Sequence, residues 1–170
     1  MQLNGQAAIV TGGASGLGGA TAAFLAQAGA KVTIFDMNAE LGEEKATAIG
    51  GKFLRVDVTD ESAVEAAIAK AEGLHGKARI LVNCAGIGPP AKVVYRDGAA
   101  LPLASFTNVV NVNLLGSFNV LSKFAAALHK VEGEAAVEFL EGLLERTDAL
   151  SSEVAKTCAW ALGRTALGRG

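Results

Sequence analysis

Ala7-Ala8-Ile9-Val10-Thr11-Gly12-Gly13-Ala14-Ser15-Gly16-Leu17-Gly18-Gly19-Ala20 is the stretch from which the rest of the chain is read. A short apolar run with β-branched residues passes into closely spaced glycines and then into Ala, Leu and Phe at helical intervals, which predicts strand, tight turn and helix. Glycine at such a turn keeps side chains away from the backbone N–H groups and from the positive end of the helix dipole. A pyrophosphate can then reach the helix start, so the stretch reads as the entry of a dinucleotide-binding unit. A plain strand-to-helix turn that merely tolerates glycine is the competing reading.

The totals agree with one α/β domain. At 170 residues the chain is long enough to bury about 70% of its unfolded surface. Its 51% hydrophobic and 19% charged residues suit parallel strands covered on both faces. A net charge of −2, a pI near 5.7 and the lack of a basic run argue against nucleic acid as a partner. Cys84 and Cys158 have neither disulfide-framework nor metal-ligand spacing. Met1 to Gln6 lacks the basic start and apolar core of a signal peptide, and no apolar stretch is long enough to span a bilayer. A soluble cytoplasmic protein without a membrane partner is expected.

Leu17 to Ala28 continues the helical pattern and stops at Gly29, a residue suited to a C-terminal cap. Lys31 to Asp36 is the second strand, with an acid 18 positions after Gly18. An acid about 20 residues on can accept both ribose hydroxyl protons of an adenosine and repels a 2′-phosphate, so Asp36 argues for NAD over NADP. Ser15 and Met37, neither of them basic, agree. The competing reading of Asp36 is an N-cap for the next helix. Ala39 to Ile49 is a charged helix ending at Gly50-Gly51, Lys52 to Val58 a third strand, and Ser62 to Glu72 an amphipathic helix. The fourth strand, Ala78 to Val82, runs into Asn83-Cys84-Ala85-Gly86. With no His or second Cys beside it, Cys84 reads as a small pocket-lining residue rather than a reactive thiol. Pro89 to Leu103 is a Pro/Gly/Ala-rich loop, and Phe106 to Lys130 one long helix containing Asn113. His75 and His129 fall near helix ends, where a cation favours the dipole, so capping is expected of both.

Three stretches together resemble the short-chain dehydrogenase/reductase family: Thr-Gly-x-x-x-Gly-x-Gly (Thr11, Gly12, Gly16, Gly18), Asn83-Cys84-Ala85-Gly86, and Val112-Asn113-Leu114. The likeness runs over about Met1 to Leu128 and is closest to the type-2 3-hydroxyacyl-CoA dehydrogenase branch. It implies a Rossmann-type parallel sheet flanked by helices, NAD as cofactor, and reversible hydride transfer with a secondary alcohol, in that branch the 3-hydroxyl of an acyl-CoA. Cofactor contacts are implied at Gly12, Ser15, Gly16, Leu17 and Gly18, with ribose at Asp36. Asp57 and Val58 would hold the adenine, the carboxylate taking its amino group; capping is the competing reading of Asp57. Asn83, Cys84, Ala85 and Gly86 would lie along the ribose and nicotinamide. Asn113 corresponds to the asparagine that bends the helix and supports a proton-relay water, the one catalytic residue that carries over; a polar residue on a helix face is its competing reading. Family members commonly pair through that helix, which implies a homo-oligomer.

The likeness stops at the catalytic base. Oxidising an alcohol needs a proton acceptor, worth about 10² to 10⁴ in rate. The family uses a Tyr made more acidic by a Lys four residues later, with a Ser polarising the substrate oxygen. The single tyrosine here is Tyr95, and four residues on stands Ala99. Beyond Lys130 the sequence shows two amphipathic helical patterns, Glu134 to Glu145 and Ser151 to Leu162, in place of the family's later strands. Trp160 and Arg164 are no substitute, since indole does not titrate in this range and guanidinium stays charged. The sheet is therefore expected to be cut from the order 3-2-1-4-5-6-7 to 3-2-1-4, leaving strand four as an apolar edge that must be covered. Residues 1–130 are expected to form the NAD-binding domain and 131–170 a helical extension packed on it. Three functional readings follow: an NAD-binding relative, truncated or frame-altered, without hydride-transfer machinery; a working dehydrogenase with Lys123, Lys156 or water as base; and a non-catalytic interaction module.

Overall fold

Among the described residues each strand is followed by a helix, and strands joined by helical crossovers lie parallel. The computed structural model describes residues 2–132. In it β1 (Ala7–Thr11), β2 (Lys31–Asp36), β3 (Lys52–Arg55) and β4 (Ala78–Asn83) form a parallel sheet in the order β3-β2-β1-β4. This is the expected order, and β4 is an edge among the described residues. The helices between strands are α1 (Gly16–Gln27), α2 (Ala39–Ile49) and α3 (Glu61–His75). The helical patterns at 134–145 and 151–162, with Lys156, Cys158, Trp160 and Arg164, lie outside the described residues.

Alternation along the strands assigns the core. Ala8, Val10, Val32 and Ile34 point to one face and pack with Ala22 and Leu25 of α1 and Ala46 of α2. Ile9, Thr33 and Phe35 point to the other, where α3 buries Val64, Ala67, Ile68 and Ala71. With both faces covered, β1 is buried along its whole length, which is why it reads as an unbroken apolar run. The sheet belongs to a compact unit, Met1–Phe124; a second unit begins at Ala125.

Four expectations need correction. The third strand ends at Arg55 rather than Val58; Val56 N–H still reaches the Asp36 carbonyl at 3.0 Å, after which the chain turns away. The amphipathic helix after it spans Glu61–His75, longer than the expected 62–72: Asp60 caps its start by accepting from Ala63 N–H at 2.9 Å, and Gly76, at φ +83°, ends it. The Pro/Gly/Ala-rich loop contains a small hairpin, with Val94 and Ala100 bridged and Tyr95 N–H bonded to the Ala99 carbonyl at 2.8 Å. The single helix expected over 106–130 is three pieces: α4 (Leu103–Val110), a π-helical turn (Asn111–Gly116) and α5 (Ser117–Glu132). It starts earlier because Pro102, with no N–H to lose, stands at the N-cap position.

His75 departs from its expected role as a cationic cap. Burial, followed by the charges of Lys31 and Lys52, holds its pKa below the ordinary 6.5, with a hydrogen bond to the Val32 backbone acting the other way. The neutral imidazole is thus the form that suits the fold. An unfolded chain binds this proton more readily, so the contribution to stability is present above pH 6.5 and is lost as pH falls through the folded-state pKa. Thermal unfolding midpoints measured from pH 7.5 down to 5.5 should therefore fall more steeply for the parent than for His75→Gln, and parallel profiles would refute this account.

Candidate functional site

The site forms where the carboxyl ends of β1, β2 and β4 meet the start of α1. Thr11 is its hub. Its buried hydroxyl accepts from Cys84 N–H and Ala85 N–H, each at 3.1 Å, and donates to Asn83 Oδ1 at 3.4 Å. One side chain on β1 thereby ties down the whole exit of β4. Thr11→Val keeps the shape but leaves Ala85 N–H without that acceptor. The expected cost is about 1–3 kcal/mol, read as a fall of several degrees in the thermal midpoint; an unchanged midpoint would exclude this role.

The glycines divide the work of the turn. Gly12 has φ +63°, and a Cβ there would stand 2.7 Å from Ala85 N, so β1 and β4 approach as closely as they do only with glycine at this place. A Cβ on Gly18 would overlap the Gly12 carbonyl oxygen. Gly16 is different: it has φ +53° and open space around the Cβ it lacks. Ser15, extended at the N-cap, makes no side-chain cap bond, and no acid occupies the first turn of α1. Leu17 projects into solvent. A cleft of about 300 Å³ opens beside this helix start, lined by Ser15, Gly16, Gly19, Leu41, Glu44 and Lys45. The helix start thus presents N–H donors and a positive dipole end with no acid in its own first turn, and with Glu44 and Lys45 of α2 along the cleft beside it.

Asp36 stands at the end of β2 and touches the turn directly. Its Oδ2 accepts from Ala14 N–H at 3.1 Å and its Oδ1 from Asn38 N–H at 2.9 Å. The helix-capping alternative falls to Asn38, whose Oδ1 accepts from Leu41 N–H at 3.1 Å. Asp57, half-buried, accepts at Oδ1 from Thr59 N–H and Thr59 Oγ1 at 2.9 and 2.7 Å, while Asp60 caps α3. Two backbone and side-chain hydrogen bonds, from Ala63 and Ser62, hold the Asp60 carboxyl below its ordinary pKa. The Val58 side chain is buried against Gly116, and its carbonyl accepts from Asn119 Nδ2 at 2.8 Å.

On the far side, Asn83 Nδ2 donates to the Ser117 carbonyl at 3.4 Å, and Cys84 is a half-buried free thiol under the turn. Asn113 lies within the π turn. Its Oδ1 accepts from Ile87 N–H at 2.8 Å and its Nδ2 donates to the Ile87 carbonyl at 2.9 Å, so its amide pairs with a backbone as a neighbouring strand would. A Cβ on Gly86 would stand 3.3 Å from Asn113 Oδ1. The structure thus brings Gly12, Ser15, Gly16, Leu17, Gly18 and Asp36 together with Ala85 at one end of the sheet, and joins Gly86 to Asn113. Thr11, Ile87 and Asn119 are the positions that sequence reasoning did not assign to the site. Thr11 carried a signal, as the residue opening the glycine motif; the other two carried none.

Other candidate groups are engaged elsewhere. Lys123 Nζ is paired with Glu61 Oε2 at 2.7 Å. Tyr95 sits in the exposed hairpin. Among the described residues there is no group of three or more His, Cys, Asp or Glu side chains able to hold a metal, and no helix long and apolar enough to cross a membrane.

The model of the short chain dehydrogenase family matches residues 6–137. Human 3-hydroxyacyl-CoA dehydrogenase type-2 is 39% identical over 133 residues, covering 76% of this chain and 51% of the relative. The Drosophila melanogaster protein of the same name is 43% identical over 116 residues, covering 66% and 46%. Secoisolariciresinol dehydrogenase of Forsythia intermedia is 38% identical over 120 residues, covering 69% and 42%. The chain spans about half the length of these relatives. A solved structure described as ribose-5-phosphate isomerase from Brucella melitensis 16M superposes with a TM-score of 0.66 at 33% identity, covering 75% of this chain and 48% of that one. A shared fold does not transfer an activity. The glycine turn, the acid ending β2 and the asparagine in the π turn sit together inside the matched region: the chain belongs to the short-chain dehydrogenase family.

Proposed function

We propose that residues 1–130 bind NAD as the nucleotide-binding half of a dehydrogenase, without the group that would take up the alcohol proton. The observation that carries this reading is the start of α1, where Gly16 is surrounded by open space and no acid stands in the first turn. An anionic pyrophosphate fits that start, held by the N–H groups of Leu17 and Gly18 with the Ser15 hydroxyl beside them. Asp36 accepts from the adenosine ribose, which favours NAD over the 2′-phosphorylated form. Asp57 and Val58 receive the adenine, and Asn83 to Gly86 line the nicotinamide end.

Bound NAD supplies a hydride acceptor for a secondary alcohol such as a 3-hydroxyacyl-CoA. Withdrawing hydride from that carbon requires something to take the hydroxyl proton. Tyr95 lacks a lysine four residues on, and Lys123 is held by Glu61. Asn113 pairs with Ile87 through both ends of its amide and so holds the exit of β4. The exposed apolar side chains Leu103, Phe106, Leu114 and Leu115 support self-association through α4 and the π turn.

Titrating the full chain into NADH and following nicotinamide fluorescence tests the binding reading. A saturable enhancement is expected, and its absence at millimolar protein and cofactor would remove the proposal. Incubation with a 3-hydroxyacyl-CoA and NAD should give no NADH above the protein-free control; sustained turnover would overturn the claim about the missing base.

A further inference from the structure

We propose that Asn119 is a positioning residue that fixes the segment Asp57–Thr59 for recognition of a 6-aminopurine, an assignment that rests on the nucleotide-binding reading above. Asn119 lies on α5, three residues beyond the π turn, and is 7% exposed. Its Nδ2 donates to the Val58 carbonyl at 2.8 Å, while its Oδ1 is buried without a partner among the described residues. A buried amide with one end unpaired is a net burden on a core. A leucine of similar reach would fill the same space without it. What leucine cannot supply is the donor on the Val58 carbonyl.

That donor acts where the sheet has ceased to help. The β2–β3 ladder ends with Asp36 and Arg55, and Val56 N–H makes one more bond to the Asp36 carbonyl. Beyond it the chain is shaped by its own side chains, with Asp57 Oδ1 curled onto Thr59. Asn119 holds the middle of this segment from behind. Gly116, one turn earlier, lets the same residue come close: a Cβ there would stand 2.6 Å from Val58 Cγ2. Two positions on one helix face thus set how far the Asp57 carboxylate stands from the end of β2. The carboxylate accepts hydrogen bonds only, so it distinguishes a purine carrying an amino group at position 6 from one carrying a carbonyl. That distinction depends on distance.

The test compares NADH with its reduced hypoxanthine analogue, titrated by fluorescence against the full chain, Asn119→Leu and Gly116→Ala, with thermal unfolding recorded for each. The parent is expected to prefer the adenine form by about tenfold, the loss attached to one unmade hydrogen bond with a charged acceptor. Both variants should remain folded and bring the ratio to within about twofold, mainly by weakening NADH. A residue with a merely structural role would weaken both nucleotides alike. A preference retained in either folded variant, or a parent that binds NADH without any preference, would overturn the assignment. A parent that binds neither nucleotide would instead remove the nucleotide-binding reading itself.

Discussion

Gly18→Ala is expected to lower the midpoint of thermal unfolding by about 6–12 °C and to abolish NADH fluorescence enhancement. The new Cβ meets the Gly12 carbonyl oxygen, which belongs to the backbone and cannot step aside as a flexible side chain can. Cys84 Cβ, 3.1 Å away, closes the other side. Overpacking of this kind costs about 3 kcal/mol, and in a chain of this size each kcal/mol moves the midpoint by roughly 2–4 °C. Gly16→Ala separates binding from folding. Its Cβ would meet nothing within 4 Å, so the only cost to the fold is the left-handed backbone, about 1–2 kcal/mol. The methyl would nevertheless stand at the mouth of the helix start. Gly16→Ala should therefore melt well above Gly18→Ala yet lose at least tenfold in NADH affinity, the equivalent of about 1.4 kcal/mol. Parent-like affinity in Gly16→Ala would mean that the anion does not sit at this turn.

Asp36→Ala should cost the most in cofactor choice. The carboxylate joins three things: the glycine turn through Ala14 N–H, the entry to α2 through Asn38 N–H, and, on the proposed reading, the ribose hydroxyls. Removing it is expected to weaken NADH by roughly 10- to 100-fold, the loss of one to two charge-assisted hydrogen bonds. NADPH should be affected far less, because the repulsion against its 2′-phosphate goes with the carboxylate. The ratio of the two dissociation constants, measured by fluorescence titration, is the deciding quantity. Asp36→Asn is the control: it keeps an acceptor for the backbone N–H groups but drops the charge. If both variants keep the parent's NADH-to-NADPH ratio, Asp36 does not face the ribose.

How much of this was legible in the chain depends on the range of the interaction. The order of strands and helices, the glycine turn and the acid at the end of β2 follow from near neighbours: β-branched runs, a helical period, and glycines where a backbone must come close. The third strand stops three residues short of its sequence pattern because Val56, Asp57 and Val58 keep an apolar alternation that Thr59 breaks by drawing the Asp57 side chain into a local turn. The break in the helix around Asn113 leaves no mark in the chain because a π turn has no sequence period of its own. It forms where the extra residue lets Asn113 reach Ile87, 26 positions away.

What the sequence determined alone is the architecture and the glycine turn, since both rest on contacts within a strand, a helix or the few residues between them. The tertiary structure alone decided that Thr11 clamps β4, that Val58 turns inward onto Gly116, that His75 is favoured neutral and that Asn119 stands behind the segment Asp57–Thr59. Each of those depends on which polar group a distant backbone leaves within 3–3.5 Å, and folding, not spacing along the chain, sets that distance.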